Sequence, residues 1–158
     1  MTMQTEQEIR IVRGDTVSLG AVGEIMASAF DPAYGEAWTV SQCNAILGMP
    51  GSWLLIAEEK NTPLGFALTR SGAGDAELLL IAVHKTQQKR GVGARLLEAV
   101  IADARRREIE RLFLEVRACN SAIGVYKRAG FLKIGERRDY YRGKDGSVYD
   151  AHSYKLVL

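Results

Sequence analysis

Gln88-Lys89-Arg90-Gly91-Val92-Gly93-Ala94 combines two glycines and two cations in one short stretch. Glycine lets a backbone come close to a ligand. Where such a stretch opens a helix, the first N–H groups lack intrahelical partners and carry the positive end of the dipole. A pyrophosphate is the natural occupant. The competing reading is a turn in which glycines only ease the chain into the helix. Lys89, Arg90 and the flanking elements favour phosphate. Two familiar phosphate loops fail. Gly93-Ala94-Arg95 lacks the Gly-Lys-Ser/Thr that ends a P-loop. A dinucleotide fingerprint needs Gly or Ala where Leu96 stands, and a first glycine directly after the strand, whereas His84–Arg90 intervene.

Such a loop must be held between a strand and a helix, and the chain supplies both. Glu77–Val83 is a continuous apolar run, the pattern of a central strand buried on both faces. After the loop, Leu96, Leu97, Val100, Ile101 and Ala104 make one apolar helical stripe. Arg95, Glu98, Asp103 and Arg107 face away, with Asp103 spaced to pair with Arg107. Upstream, Glu8–Arg13 alternates as a short strand, and Asp15 is an N-cap for a helix reaching Phe30. Asp31-Pro32 stops that helix, residues 31–38 form a loop, and Thr39 caps a short helix through Leu47. Ser52–Glu58 and the alternation of Leu64, Phe66 and Leu68 read as strands around a turn at Lys60–Pro63, with a second turn at Ser71–Asp75. Downstream come a strand at Leu112–Val116, a helix at Ser121–Ala129 closed by Gly130, and strands near Phe131–Glu136 and Val148–Leu158. A polar loop with Gly143 and Gly146 joins the last two. This order predicts an α/β (α+β) sheet with helices on its faces.

The chain has 158 residues, which suits one domain over 1–158 with a full core. Apolar residues make up 47% and charged residues 25%, the profile of a soluble globule rather than a disordered or fibrous chain. A net charge of +2 gives no field implying nucleic acid or an anionic membrane as partner. Cys43 and Cys119 are too few for a disulfide framework. Met1–Arg10 is polar and lacks the apolar centre of a signal peptide. No apolar run reaches bilayer length. The expectation is a cytoplasmic, single-domain protein.

Gln88-x-x-Gly91-x-Gly93 after Ile81-Ala82-Val83 resembles the acetyl-CoA motif of the GNAT superfamily of N-acetyltransferases. Leu114-Glu115-Val116-Arg117-Ala118-Cys119-Asn120, Val125-Tyr126-Lys127-Arg128-Ala129-Gly130-Phe131 and Arg137-Arg138-Asp139-Tyr140-Tyr141 resemble its later motifs. Together they are similar to the RimI-type branch, bacterial N-acetyltransferases of ribosomal-protein N-terminal alanine. The resemblance covers Glu77 to the C-terminus and is weak across the first seventy residues. It implies a mixed, mostly antiparallel sheet of about seven strands, splayed between Glu77–Val83 and Leu112–Val116, with helices on both faces. Acetyl-CoA would enter the splay. Gln88, Lys89, Arg90, Gly91, Val92, Gly93 and Ala94 would meet its pyrophosphate. The Ile81, Ala82 and Val83 backbone would pair with its pantetheine, and Asn120 would contact it too. One departure bears on Asn120: its interval to Tyr126 is one residue shorter than in the family. One residue turns a helix by about 100°. The spacing from Tyr126 to Gly130-Phe131 is kept, so the deletion falls in the turn before the helix.

The implied reaction is attack of a neutral amine on a thioester. A peptide α-amine, with an ordinary pKa of about 7.7–8.0, asks less of a base than a lysine near 10.4. Glu115 is the candidate base, directly or through one water. Its plain alternative is a structural ion pair with Arg117 or Arg137. Tyr126 is the candidate acid for the leaving thiolate, and its alternative is an aromatic packed under its helix. A backbone N–H near Val83 is the expected oxyanion donor. Tyr140, Tyr141, Tyr34 and Trp38 would line the acceptor groove. The acceptor would be a protein or peptide N-terminus, such as that of a ribosomal protein. His84 and His152 show no metal-ligand spacing, so no metal is expected. Two rivals stand beside this reading: the same fold acting on a small amine or a lysine side chain, and a non-catalytic CoA-binding module.

Overall fold

The computed structural model describes residues 8–158. The chain opens with β1 (Arg10–Gly14). Asp15 then caps a short turn at Thr16–Ser18, and α1 (Leu19–Ala29) follows. After a loop, Thr39 caps α2 (Val40–Leu47) in a capping box, its Oγ1 accepting from the Gln42 N–H at 3.1 Å. Next come β2 (Ser52–Glu59), β3 (Thr62–Gly72) and β4 (Asp75–Val83). The chain ends with α3 (Val92–Arg106), β5 (Arg111–Arg117), α4 (Ile123–Arg128), β6 (Leu132–Arg142) and β7 (Val148–Val157). The predicted order of elements holds throughout.

The strands form one sheet in the order β1-β2-β3-β4-β5-β7-β6, antiparallel except for β4 with β5. This is the mixed, mostly antiparallel seven-strand sheet expected from the sequence. Two cores lie on its two faces. One joins α3 and Tyr126 of α4 to Trp53, Leu55, Leu112, Leu114 and Tyr154. The other joins α1 and Cys43 of α2 to Leu54, Ile56, Phe66 and Leu80.

The sheet parts in its middle. The parallel pair runs from Asp75↔Arg111 to Leu78↔Leu114, and beyond that the strands diverge. A bulge lies at the same level: Thr69 faces Leu78 and Leu68 faces Leu80, so Leu79 is the extra residue. One extra residue reverses the strand's alternation. Ala76 and Leu78 therefore enter the α3-side core, and Leu80 and Ala82 enter the α1-side core. Here the expectation of a strand buried on both faces is corrected. Glu77 is exposed, and Leu79, Ile81 and Val83 are half-buried along the parting.

Other differences from the sequence reading have local causes. Asp103 pairs with Arg106, not Arg107. The Arg107 guanidinium instead lies 4.0 Å over the Trp53 ring, because α3 ends there against β2. α4 starts at Ile123, after a turn in which Asn120 Oδ1 accepts from the Ala122 N–H at 2.8 Å. β6 runs on to Arg142 rather than ending near Glu136, since a bulge lets pairing with β7 resume. No helix among the described residues is long and apolar enough to cross a membrane.

Candidate active site

The glycine-rich stretch is a left-handed turn into α3. Gly91 has φ +78° and Lys89 φ +64°. The first α-helical bond runs from the Arg95 N–H to the Gly91 carbonyl at 3.1 Å. The amides of Val92, Gly93 and Ala94 precede it and point out of the helix end. No side chain among the described residues caps that end. A Cβ on Gly93 would meet only Val83 Cγ2, at 3.8 Å, so packing does not demand glycine there. Gln88 ties the turn to the strand, its Nε2 donating to the Val83 carbonyl at 3.1 Å. The Arg90 guanidinium turns to Glu59 at 2.9 and 3.3 Å and to Gln87 at 2.6 Å. That hydrogen-bonded ion pair lowers the Glu59 pKa. The cation of Arg90 is thereby largely neutralised beside the turn, leaving its backbone in place.

β4 presents an open backbone edge along the parting. The His84 N–H bonds the Leu64 carbonyl at 2.8 Å, which makes Gly65↔Val83 a non-hydrogen-bonded pair. By alternation Ala67↔Ile81 is another. The N–H and C=O of Ile81 and Val83 therefore face away from β3, toward the gap; those of Ala82 bond β3.

On the face opposite α3, the helices α1 and α2 stop short of β5, β7 and β6. A cleft of about 510 Å³ remains, lined by Glu77, Leu79, Glu115, Ile134, Arg137 and Ser153 among others. Glu115 projects from β5 into it. Its carboxylate forms an ion pair with Arg137, Nε to Oε1 2.7 Å, and accepts from Ser153 Oγ at 3.4 Å. Of the two arginines considered as its partners, Arg137 is the one engaged. Although Glu77 is open to the cleft, partial desolvation by the cleft walls and then the nearby Glu115 charge raise its pKa.

Tyr126 lies on α4, on the α3 side of the sheet. It is buried, with its ring edge-on to Phe131 at 6.0 Å. Burial first, then Tyr141 and Glu36, push its phenol well above the ordinary value. Tyr140 and Tyr141 would point to opposite faces of a regular strand. Their ring centroids are instead 5.0 Å apart. The cause is the β6 bulge: Arg137 faces Ala151 and Tyr141 faces Tyr149, so Arg138, Asp139 and Tyr140 stand against Asp150 alone, two residues of extra length. Asp139 takes φ +52° and donates its N–H to Asp150 Oδ1 at 3.0 Å. Tyr140 thus hangs over Glu115, whose charge adds to burial in raising its pKa. Tyr141 is raised further, by burial and then by Glu36, Tyr140 and Glu115.

The structure sets Tyr140 beside Glu115 and Tyr141 beside Tyr140, while Tyr126 is buried on the α3 side with Tyr141 and Glu36 as its charged or ionisable neighbours. Tyr34 joins them through Arg117, whose guanidinium sits 3.8 Å over its ring. Trp38 does not join them: it packs against the α1-side core, its backbone N–H donating to Met26 Sδ at 3.1 Å. Asn120 caps the α4 turn and donates Nδ2 to Glu36 at 3.1 Å. Sequence reasoning missed Glu36. It forms a largely enclosed ion pair with Arg117, 81 positions away, and only the fold joins them. The adjacent Gly35, a turn residue, was the one local signal.

The parted sheet, the open helix end and the cleft that holds Glu115 are the features that a thioester-dependent acyltransferase needs. The chain belongs to the acetyltransferase (GNAT) family, which matches residues 19–131. It is 42% identical over 82 residues to the [ribosomal protein bS18]-alanine N-acetyltransferase of Escherichia coli, 51% of this chain and 55% of that one. The chain thus spans about half the length of that relative. It is 32% identical over 119 residues to the N-alpha-acetyltransferase RimI of Mycobacterium tuberculosis, 72% of this chain and 73% of that one. Its fold matches the crystal structure of the ribosomal-protein-S18-alanine N-acetyltransferase from Escherichia coli with TM-score 0.87 and 30% identity, over 96% of this chain and 94% of that one.

Proposed function

We propose that this chain transfers the acetyl group of acetyl-CoA to the N-terminal α-amine of a protein, an alanine N-terminus of a ribosomal protein, by direct transfer in a ternary complex. The observation that carries this reading is the gap between β4 and β5, with free helix amides at the start of α3 and the Glu115 carboxylate in the cleft beside it. The likeness to the E. coli enzyme over nearly the whole fold supports the acceptor class.

The bound thioester supplies an activated acetyl group. The amides of Val92, Gly93 and Ala94 receive the pyrophosphate, and no side chain among the described residues competes for them. The Ile81 carbonyl and the Val83 N–H would pair with pantetheine amides, the Val83 carbonyl already accepting from Gln88. The oxyanion donor in this reading is a backbone N–H of β4 that faces the gap, near Val83. Leu78 faces Leu114, so Glu115 is level with Leu79, while Val83 lies four residues further along. At about 3.3 Å per residue that is roughly 13 Å. Of the two N–H groups that face the gap, that of Ile81 lies nearer the level of Glu115 than that of Val83, and it would take the developing charge. Glu115 accepts the amine proton from the cleft side, with Arg137 and Ser153 fixing its carboxylate. Tyr126, kept neutral by burial, holds a proton for the departing thiolate.

The test is CoA thiol release with acetyl-CoA and a peptide panel. The panel holds Ala-, Ser- and Met-initiated peptides and an N-blocked peptide with an internal lysine. Turnover on free N-termini, best with Ala, is expected. Turnover on the blocked lysine peptide alone, or on free amines with peptides ignored, overturns the acceptor assignment. CoA binding without turnover on any amine returns the chain to a binding role.

A further inference from the structure

The loop between α1 and α2 is tied down from three sides. Asp31 Oδ1 accepts from the Ala33 N–H at 2.9 Å, which shapes the turn at Pro32–Tyr34. Gly35 follows at φ +68°, and a Cβ there would collide with the Arg142 carbonyl of β6. A Cβ on Gly143 would collide in the same way with the Ala33 carbonyl. The loop and the end of the β6–β7 hairpin therefore touch backbone to backbone at two glycines. Tyr34 adds an edge-on contact to Tyr149 of β7 at 5.2 Å.

The third tie is polar and largely enclosed. Glu36 Oε1 pairs with Arg117 Nε, and their side chains are 10% and 13% exposed. Glu36 Oε2 accepts from Asn120 Nδ2 at 3.1 Å. The Asn120 Oδ1 is held by the Ala122 N–H, and the Asn120 N–H by the Arg117 carbonyl at 2.9 Å. One carboxylate thus joins the loop to the end of β5 and to the turn before α4. Tyr126 and Tyr141 both face that carboxylate, which adds to the burial that keeps them protonated.

We propose that Glu36, Arg117 and Asn120 form a latch that holds the α1–α2 loop over the acceptor mouth, and that Asn120 acts in this chain as a loop-positioning residue rather than as a contact to CoA. The inference rests on the acceptor-side reading of the cleft given above. Its physical basis is that one donor and the acceptor of the Asn120 amide are already committed within the protein. The shorter Asn120–Tyr126 interval puts the amide in the turn, facing the loop. The latch sets the position of Tyr34 and Tyr141, so it acts on the acceptor and not on the donor.

The variants are Asn120→Asp, Glu36→Gln and the double variant. Asn120→Asp keeps the cap on the Ala122 N–H but sets a carboxylate against Glu36. Adding Glu36→Gln reverses donor and acceptor and restores the bond. Three readouts are taken: hydrogen exchange of the 31–38 amides, calorimetric affinity for CoA, and KM for an Ala-initiated peptide. Asn120→Asp is expected to speed exchange in the loop and raise the peptide KM about tenfold, with CoA affinity within twofold of the starting protein. The double variant should recover both. Weaker CoA binding in Asn120→Asp, or loop exchange unchanged by it, overturns the latch. If the unaltered protein turns over no peptide, the acceptor reading fails, and exchange and CoA affinity still decide whether the latch exists.

Discussion

Gly93→Ala separates a ligand's demand for glycine from the fold's own. Gly93 is helical, the second residue of α3, and a Cβ there would meet only Val83 Cγ2 at a comfortable 3.8 Å. Replacing an unstrained helical glycine by alanine stabilises by about 0.5–1 kcal/mol. For a chain of this size that raises Tm by about 1–4 °C. The same methyl stands among the amides assigned to the pyrophosphate. Losing one N–H bond to a charged group costs about 1.5–3 kcal/mol, or roughly ten- to a hundredfold in affinity. The expected result is thus a more stable protein that binds CoA more weakly. Thermal unfolding without ligand and calorimetry with CoA read the two effects separately. Gly91→Ala is the contrast: at φ +78° it strains the backbone by about 1–2 kcal/mol, so Tm should fall. Unchanged CoA affinity in Gly93→Ala would refute the assignment of the Val92–Ala94 amides as the phosphate cradle.

Glu115→Gln and Tyr126→Phe should each lower kcat, by about 10²–10⁴ for the carboxylate, while leaving CoA affinity nearly intact; unchanged turnover in both removes them from the chemistry. Alkaline stability follows from Tyr126 and Tyr141, whose folded phenols are raised well above the unfolded value of about 10. Their stabilisation is complete below about pH 10 and is lost as pH rises from there toward the folded values, because the unfolded chain releases those protons first. Urea midpoints at about pH 8 and pH 10.5 should show the decline, and Tyr126→Phe should make it shallower. Arg107→Ala removes the guanidinium over Trp53 and should cost about 0.5–2 kcal/mol, read as a Tm drop of a few degrees with changed tryptophan fluorescence.

Much of the architecture was legible along the chain because it rests on short-range patterns. The apolar stripe from Leu96 to Ala104, the Thr39 cap and the Gly130 stop are set by residues a few positions apart, and each forms as expected. The glycine turn was readable for the same reason: the φ of Gly91 and the free amides after it are local consequences of a strand feeding a helix. The Leu-Glu-Val-Arg and Tyr-Tyr segments carried the family, and the family carried the splay. Composition and periodicity alone pointed to β4 as an ordinary buried strand, since an apolar run does not announce a bulge that reverses its alternation at Leu79.

What the tertiary structure decided are the partners. Arg106, Arg107, Arg117 and Arg137 look alike in a sequence. Folding sends them to Asp103, to the face of Trp53, to Glu36 and to Glu115. The separations of Glu36 from Arg117 and Asn120, 81 and 84 positions, lie beyond any periodic signal. The bulge that sets Tyr140 beside Tyr141 depends on how many residues β7 offers opposite β6. Residue types and short spacings therefore determined the elements and the class of chemistry. Which charge meets which, and which ring faces the gap, depended on strand register and long-range packing, which no local stretch of the chain encodes.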